Sequence, residues 1–449
     1  MDSPSAAHRD VDTEKFAVDA SERSTAEPSV SAGRSKRRIV FVNRCYWPDQ
    51  EATGQLLTDL AEGLSVEFDV HVLCGQPNSP STKDFRKLGV ERHNGVTVHR
   101  VGHTRFAKRM PAGRIGNLLS FAWAARRYLR RQRLEADVFV AETDPFLLPA
   151  VVVPYATANH VRSVCYLQDI YPDVAEATGH ARPGRFTQWI RRRLRSGYRA
   201  ADRVVVLGEC MKRRLTESPW ELDPNDLTVI PNWADTEAIR PQPHHDSRFR
   251  KALRLSDRTV LMHSGNMGLT QNLDAVVQAT GCSEWPANAS LVLVGDGAAR
   301  QGLETATASL PPGRVEMHPY QPRSELADSL AAANIHLVSL DAAVTGCICP
   351  SKFYGILAAG RPVLFIGDPR ADVAVAIEEH RLGWVCHRHE PEDIARTVRS
   401  AVDDVAEHAA MGQRGRELAE TLYNPKVIQN RFADLFRSLV ETRSMPPNS

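Results

Sequence analysis

Residues 350–362 read PSKFYGILAAGRP and place a lysine at the start of a short predicted helix. The pattern predicts that this helix begins behind Pro350 and Ser351, carries Lys352 in its first turn, and ends at Gly360. Ser351 is the expected N-cap, and Lys352 adds a full positive charge to the partial charge of the helix N-terminus. A charge-assisted hydrogen bond from such a lysine contributes about 1.5 to 3 kcal/mol. The segment therefore predicts an anion site, with a surface lysine beside an ordinary cap as the alternative.

A second candidate anion site follows the apolar run TVLMHSG at residues 259–265. The loop Gly265-Asn266-Met267-Gly268 leads through Thr270 into a helical pattern from Asn272. Small residues let the backbone approach a ligand, and a helix start offers unpaired amides. The loop therefore predicts a cradle for a diphosphate, and the alternative is a tight turn between a strand and a helix.

Several other classes of protein are disfavoured by composition and motifs. The sequence has neither G-x-G-x-x-G at its first helix nor a P-loop. With 56 Lys and Arg against 54 Asp and Glu, no global positive charge is available to hold nucleic acid. The eight cysteines form no metal-type spacing, so we expect buried, reduced thiols and no bound metal. No signal-peptide pattern or membrane-spanning run is recognisable, and we expect a cytoplasmic protein.

Short apolar runs alternate with helical patterns in two successive series. This alternation predicts an α/β fold with two doubly wound, Rossmann-like domains whose strand carboxyl ends face a common crevice. An amphipathic helix is predicted from residue 426. The expected divisions are a disordered tail (1–37), an N-terminal Rossmann-like domain (38–230), a C-terminal Rossmann-like domain (231–425), and the terminal helix with its tail (426–449).

The order of motifs resembles the retaining glycosyltransferases of family 4, which have the two-domain GT-B architecture. The resemblance covers about residues 38 to 425. It is closest to the branch that assembles bacterial surface polysaccharides of the colanic-acid and O-antigen type. The motifs that carry it are PDQEATGQLLTDLAEGL, YLQDIYPD, AADRVVVLGECMKRRL, VIPNWAD, HSGNMG, VGDG, HPYQPRSELADSLAAANIHLVSL and PSKFYGILAAGRPVLFIGD.

The resemblance implies an enzyme that transfers a hexosyl or N-acetylhexosaminyl group with retention of configuration. The donor would be a nucleoside diphosphate sugar, expected to be a UDP-sugar, held by the second domain. The acceptor would be a lipid-linked saccharide or polysaccharide, held mainly by the first domain. The family also implies that no bound cofactor or metal is required.

Several positions depart from the family pattern. The two glutamates that many members carry fall on Cys347 and Gly355, and the phosphate-binding Arg and Lys fall on Asn266 and Gln271. Gly355 would leave room for a different sugar or base pose, although loose packing of the helix also explains it. With the usual cations missing, Lys352 is the expected partner of the leaving diphosphate, since negative charge grows there as the glycosidic bond breaks. Amides at Ser351 and around Gly268 would assist it.

Two further residues of the first domain receive expected roles. The His-Asp pair of the family appears as Gln168-Asp169. Asp169 follows a buried strand at its carboxyl end, and would position an acceptor hydroxyl or act as a base, or else only cap a helix. Gly54, with Thr53, is expected to approach the donor diphosphate from the first strand-helix loop.

A basic face is predicted in the first domain. Residues 92–134 contain eleven Lys or Arg and no Asp or Glu, and WIRRRLRSGYRAADR (189–203) is a second basic run. We expect peripheral contact with an anionic membrane surface at the inner face of the plasma membrane, and the alternative is two solvated helix faces. Nucleic acid is disfavoured, since no aromatic platform accompanies the charge.

Two other functions are also consistent with the sequence. The missing glutamates and cations favour a catalytically silent protein that binds a nucleotide sugar or a partner enzyme. The same architecture also suits a nucleotide-sugar epimerase, which would convert the donor with no acceptor present.

Overall fold

A computed structural model describes residues 36–49, 51–77, 88–106, 111–255 and 257–441 of the 449-residue chain. The predicted disordered tail therefore lies almost wholly outside the described residues. Within these ranges the chain forms one eight-stranded sheet and one six-stranded sheet, each with helices on both faces.

The elements around the eight-stranded sheet are called the N-lobe. Its strand order is β3-β4-β2-β1-β5-β6-β7-β8. The strands are β1 (Arg38–Val42), β2 (Asp69–Gly75), β3 (Gly89–His93), β4 (Val96–Val101), β5 (Val138–Ala141), β6 (Arg162–Tyr166), β7 (Arg203–Val206) and β8 (Leu227–Val229). The helices are α1 (Ala52–Leu64), α2 (Pro111–Gln132), α3 (Pro149–Ala158), α4 (Asp173–Ala177), α5 (Arg185–Ala200) and α6 (Glu209–Thr216).

The central strand β1 shows why this sheet forms. Ile39 and Phe41 pack into one hydrophobic cluster, and Val40 and Val42 pack into another. Successive side chains of a strand point to opposite faces, so a continuous apolar run is stable only where helices cover both faces. The edge strand β3 is mostly exposed and pairs antiparallel with β4. It is not predicted from the sequence because its residues GVERH lack such a run.

The elements around the six-stranded sheet are called the C-lobe. All its strands pair in parallel, in the order β11-β10-β9-β12-β13-β14. The strands are β9 (Thr259–Ser264), β10 (Ala289–Val294), β11 (Val315–His318), β12 (Ile335–Ser339), β13 (Val363–Ile366) and β14 (Gly383–Cys386). The helices are α7 (Arg248–Ala252), α8 (Leu273–Ala279), α9 (Arg300–Thr307), α10 (Leu326–Ala331), α11 (Lys352–Ala358), α12 (Asp372–His380), α13 (Pro391–Asp403) and α14 (Val405–Leu422).

The last helix, α15 (Pro425–Glu441), returns to the N-lobe. Phe432 packs against Tyr166 with ring centroids 5.0 Å apart, and Phe436 lies 6.1 Å from Phe41. The predicted amphipathic helix is therefore confirmed, and its apolar face covers the sheet of the other lobe.

Contacts between the lobes involve residues that follow the carboxyl ends of strands. Asp169, after β6, forms an antiparallel bridge with Ile348, and the Ile170 amide donates to the Cys347 carbonyl at 2.8 Å. Asp372 accepts from the backbone amide of Cys210 at 3.1 Å, at the start of α6. Ligands of doubly wound sheets bind outside the carboxyl ends of the strands, and the candidate site described below lies there.

Candidate active site

The loops that follow β9 and β10 pack backbone against backbone, next to the point between β9 and β12 where the C-lobe strand order reverses. The Gly265 amide donates to the Val294 carbonyl at 2.9 Å, and the Met267 amide donates to the Asp296 carbonyl at 2.8 Å. Gly265 and Gly295 have φ values of +135° and +140°, which L side chains rarely adopt. A Cβ on Gly295 would also overlap the Gly265 carbonyl oxygen. This close packing holds the conformation of the loop at residues 265–268, the predicted cradle.

Lys352, at the start of α11, lies beside this cradle. Its Nζ is 3.0 Å from Nε2 of His263, and a Cβ built on Gly265 would lie 3.3 Å from its Cε. Burial lowers the pKa of the half-buried Lys352 to about 7. Burial, and next the charge of Lys352, lower the pKa of His263 well below its ordinary value. His263 is therefore neutral when Lys352 is protonated, and the pair carries at most one positive charge.

Gln271 and Asn266, which stand where the family carries phosphate-binding cations, have different surroundings. The Gln271 Oε1 accepts from the Gly268 amide at 2.6 Å, and its Nε2 donates to Thr270 at 3.0 Å. The Asn266 side chain is exposed, and its backbone carbonyl lies 3.3 Å from His263 Nε2. Gln271 thus stabilises the loop, while Asn266 is accessible to a ligand.

The prediction that Ser351 caps α11 is wrong. Its side chain makes no capping hydrogen bond, and its backbone is already helical, with φ −60° and ψ −26°. An N-cap side chain reaches the amides of the next turn from an extended backbone, which Ser351 lacks. In the same helix, a Cβ on Gly355 would meet only Leu330 Cδ1, at 3.7 Å. Packing therefore does not require glycine at position 355.

Five of the predicted site residues thus lie together: Gly265, Asn266, Gly268, Gln271 and Lys352. These residues and His263 are called the lysine edge. Gly54 lies apart from it, in the first turn of α1, where it is buried against its own lobe. A Cβ there would be 3.2 Å from Cys45 Cβ, which explains the glycine by packing. An approach of Gly54 to the donor stays a prediction.

Asp169 is half buried at the junction of the lobes, in the bridge to Ile348. Burial, and next the charge of Asp144, raise the pKa of Asp169 to about 6. Within the described residues its side chain forms no hydrogen bond, and it does not cap a helix. A carboxyl group with this pKa is suited to exchange a proton near neutral pH.

An ion-pair cluster near Asp169 was missed by sequence reasoning. Arg44 Nη2 lies 2.9 Å from an oxygen of Asp144 and 3.2 Å from one of Glu51, and the Cys45 thiol donates to Glu51 at 3.2 Å. Glu51, Asp144 and Asp169, with Arg44, are called the carboxylate edge. Arg44 and Asp144 follow the carboxyl ends of the adjacent strands β1 and β5, so the positions carried a signal, but only the strand order reveals their adjacency.

Within the parts of the chain that the structure describes, Cys45, Glu51 and Asp144 form a group whose ligand atoms lie within 4.8 Å of one another. Arg44 already balances both carboxylates, and burial raises the pKa of the Cys45 thiol, which favours its neutral form. The arrangement therefore fits an ion pair better than a metal ion. Metal independence of the reaction stays a prediction.

Two family models match consecutive parts of the chain. The model described as Glycosyltransferase Family 4 matches residues 53–238, and the model described as Glycosyl transferases group 1 matches residues 245–418. Together with the two facing α/β lobes, these matches show the class of enzyme. The chain is a glycosyltransferase of the GT-B type.

Named relatives and a solved structure are consistent with this class. The chain is 27% identical over 307 residues to "Probable glycosyltransferase WbjE" of Pseudomonas aeruginosa, a match that covers 68% of this chain and 75% of that protein. It is 23% identical over 376 residues to "Putative colanic acid biosynthesis glycosyl transferase WcaI" of Escherichia coli (strain K12), covering 80% and 90%. Anabaena HepE, solved in complex with UDP, shares the fold at 15% identity and a TM-score of 0.68, covering 89% of this chain and 100% of HepE.

Among the helices of the described residues, none combines the length and the apolar character needed to cross a membrane.

Proposed function

We propose that this glycosyltransferase moves a hexosyl or N-acetylhexosaminyl group, with retention, from a UDP-sugar to a lipid-linked saccharide or polysaccharide in surface-polysaccharide synthesis. The observation that carries the proposal is the Lys352 ammonium, placed over the Gly265 loop at the switch point of the C-lobe sheet. The name of the WcaI relative, which mentions colanic acid biosynthesis, supports the polysaccharide context, and the UDP complex of HepE supports the donor class.

Lys352 would stabilise the leaving diphosphate. As the bond between the anomeric carbon and the β-phosphate oxygen breaks, negative charge grows on that oxygen. A nearby ammonium stabilises this charge more in a site from which water is excluded than in bulk water. Gly265 and Gly268 would allow the backbone to approach the phosphates, and Asn266 would offer an exposed amide.

The carboxylate edge would hold the acceptor. A new bond forms between the anomeric carbon and an acceptor hydroxyl, which must lose its proton. Asp169, with its pKa raised to about 6, would orient that hydroxyl or accept the proton. Gly355 would leave space beside the donor ribose, since only Leu330 approaches it closely.

A membrane-facing surface on the N-lobe would bring the enzyme to its acceptor. Helices α2 and α5 both pack against α3, which places them in one layer over the sheet. They expose Trp123, Phe186 and Trp189 at 65%, 71% and 55%. Exposed arginines accompany these aromatic side chains, a combination typical of helices that lie in the interface of an anionic bilayer. On α2 four of the arginines are exposed within about two turns of Trp123: Arg126, Arg127, Arg130 and Arg131.

Vesicle sedimentation tests this surface. Binding to vesicles with anionic phospholipid should exceed binding to neutral vesicles, and replacing the four α2 arginines by glutamine should reduce it. Equal binding to both vesicle types, or an unaffected quadruple variant, would refute the surface. The matched control replaces four exposed C-lobe arginines by glutamine: Arg248, Arg388, Arg396 and Arg399.

The proposed reaction is tested by supplying purified protein with a radiolabelled UDP-sugar and a lipid-linked saccharide fraction. Transfer should require both substrates, and Lys352→Met should lower kcat/KM. Conversion of the UDP-sugar without acceptor would favour an epimerase. Binding of the nucleotide without transfer or conversion would favour the silent binding protein.

A further inference from the structure

His263 is a buried polar side chain that the proposed reaction does not yet use. It lies in β9, wholly enclosed, one residue before the strand ends. Its ring nitrogens lie 3.0 Å and 3.5 Å from Lys352 Nζ, and Nε2 lies 3.3 Å from the Asn266 carbonyl. The imidazole therefore joins α11 to the cradle loop, although the two residues are 89 positions apart.

The partner of Lys352 is unusual because it is neutral. Within the described ranges Lys352 forms no ion pair with a carboxylate, and burial together with the lysine charge lowers the pKa of His263. A carboxylate in this place would orient the ammonium but would also cancel its charge. A neutral imidazole has one acceptor nitrogen and one N–H. Either Nε2 accepts from Lys352 at 3.0 Å, or Nε2 donates to the Asn266 carbonyl while Nδ1, at 3.5 Å, is the acceptor, and both arrangements leave the full positive charge available.

We infer that His263 is a positioning residue that holds the Lys352 ammonium over the Gly265 loop, where it meets the donor diphosphate. This inference rests on the proposed function, which assigns the diphosphate to Lys352. The glycine at position 265 is part of the arrangement, because a Cβ there would lie 3.3 Å from Lys352 Cε and 3.7 Å from Nζ.

One other titratable side chain influences His263 from a neighbouring strand. His336 in β12 is also wholly buried, and its Nε2 donates to the Leu330 carbonyl at 2.9 Å. Among the causes that lower the pKa of His263, the charge of His336 is smaller than burial and than the charge of Lys352. His336 makes no hydrogen bond to Lys352 in the described structure, and is therefore a matched control for removing a buried imidazole.

The experiment compares UDP-glucose binding by calorimetry in the full-length wild-type protein and in five variants: Lys352→Met, His263→Phe, His263→Gln, His336→Phe and the double variant His263→Phe/Lys352→Met. We expect Lys352→Met to weaken binding about tenfold or more, equivalent to about 1.4 kcal/mol. His263→Phe should weaken it several-fold, and His263→Gln should restore most of the loss, since the amide oxygen accepts a hydrogen bond. In the double variant, the histidine change should add nothing.

A direct measurement of the lysine does not depend on the donor. The chain has nine lysines, so the ¹³C-methylated amines can be resolved by NMR and Lys352 assigned by its loss in Lys352→Met. The pKa of Lys352 should fall further in His263→Phe, because the ammonium loses its acceptor, and should not move in His336→Phe. This titration remains informative if a variant binds no nucleotide.

The outcomes separate the two claims. If Lys352→Met binds UDP-glucose as the wild type does, the diphosphate role in the proposed function is wrong, and the NMR titration alone decides whether His263 holds the lysine. If Lys352→Met weakens binding while His263→Phe does not, the inference about His263 is wrong and the proposed function stands. Equal losses in His263→Phe and His336→Phe, or an unchanged lysine pKa in His263→Phe, would reduce His263 to a structural residue. If His263→Phe does not fold, the same comparisons are made with His263→Leu and His263→Gln.

Discussion

The lysine edge and the carboxylate edge lie at the carboxyl ends of two similar sheets, yet their chemistry is opposite. The lysine edge is built from glycines and amides around one ammonium whose hydrogen-bond partner is a neutral imidazole. The carboxylate edge contains Glu51, Asp144 and Asp169 with one balancing guanidinium from Arg44. The first arrangement suits an anion, and the second suits groups that donate hydrogen bonds, such as hydroxyls. The same fold can therefore present two different substrates to each other.

The largest expected effect comes from the packing that fixes the lysine edge. Gly295→Ala should destabilise the protein by about 3 kcal/mol or more, since it adds a clash with the Gly265 carbonyl to an unfavourable φ. The matched control is Gly302→Ala in α9, where a Cβ meets nothing within 4 Å. That change should stabilise by about 0.5 to 1 kcal/mol. Urea unfolding measures both, and equal effects would show that the loops do not pack as described.

The next largest effect should separate the two edges. Lys352→Met is expected to weaken binding of the nucleoside diphosphate about tenfold to a hundredfold, the loss of one charge-assisted hydrogen bond. Asp169→Asn should leave nucleotide binding nearly unchanged and lower kcat. Calorimetry and initial rates measure the two quantities, with Lys251→Met as an exposed lysine control. A loss of nucleotide binding in Asp169→Asn would contradict the separation.

The pH dependence of kcat/KM should distinguish the two edges. Asp169 must lose its proton to act as a base, so activity should rise through about pH 6. Lys352 must keep its proton, so activity should fall as pH rises beyond about 7. Asp169→Asn should remove the acidic limb, and Lys352→Met the alkaline limb. A flat profile between pH 5.5 and 8 in the wild type would contradict both roles.

The same pKa values predict how stability changes with pH. Lys352 has a lower pKa in the folded protein than in the unfolded chain, so the unfolded state binds more protons between about pH 7 and 10.5. Its contribution to stability is present at high pH and is lost as pH falls through about 7. Lys352→Met should therefore have its greatest stability advantage over the wild type below pH 7, and thermal unfolding at pH 6 and 9 checks this.

The smallest expected effect concerns Gly355. Gly355→Ala should stabilise the protein by about 0.5 to 1 kcal/mol, because a Cβ there meets only Leu330 at ordinary distance. If the donor ribose approaches this position, the same variant should bind UDP more weakly despite its greater stability. Unchanged binding would mean that the glycine reflects loose packing alone.

How much of the site the sequence predicted depends on how many positions separate the residues that meet there. The Gly265 loop and Lys352 were predicted because a buried run ending in glycine and a lysine at a helix start are local patterns. The pairs Arg44–Asp144 and His263–Lys352 were not, since each joins residues about a hundred positions apart. Ser351 was assigned as a cap from its residue type, and its helical backbone torsions exclude that role. For the pairs Arg44–Asp144 and His263–Lys352, the strand order supplies the information that the sequence lacks.

Calorimetric titration tests whether the lysine edge holds the donor diphosphate. The full-length protein is titrated with UDP, GDP, ADP and dTDP, and the titrations are repeated with Lys352→Met. A ligand at a hundred times its dissociation constant would also add about 2.7 kcal/mol of stability, which gives an independent readout. UDP should bind, and its affinity should fall at least tenfold in the variant. Absence of binding by all four nucleotides, or equal binding by the variant, would contradict the claim that the lysine edge holds the donor diphosphate.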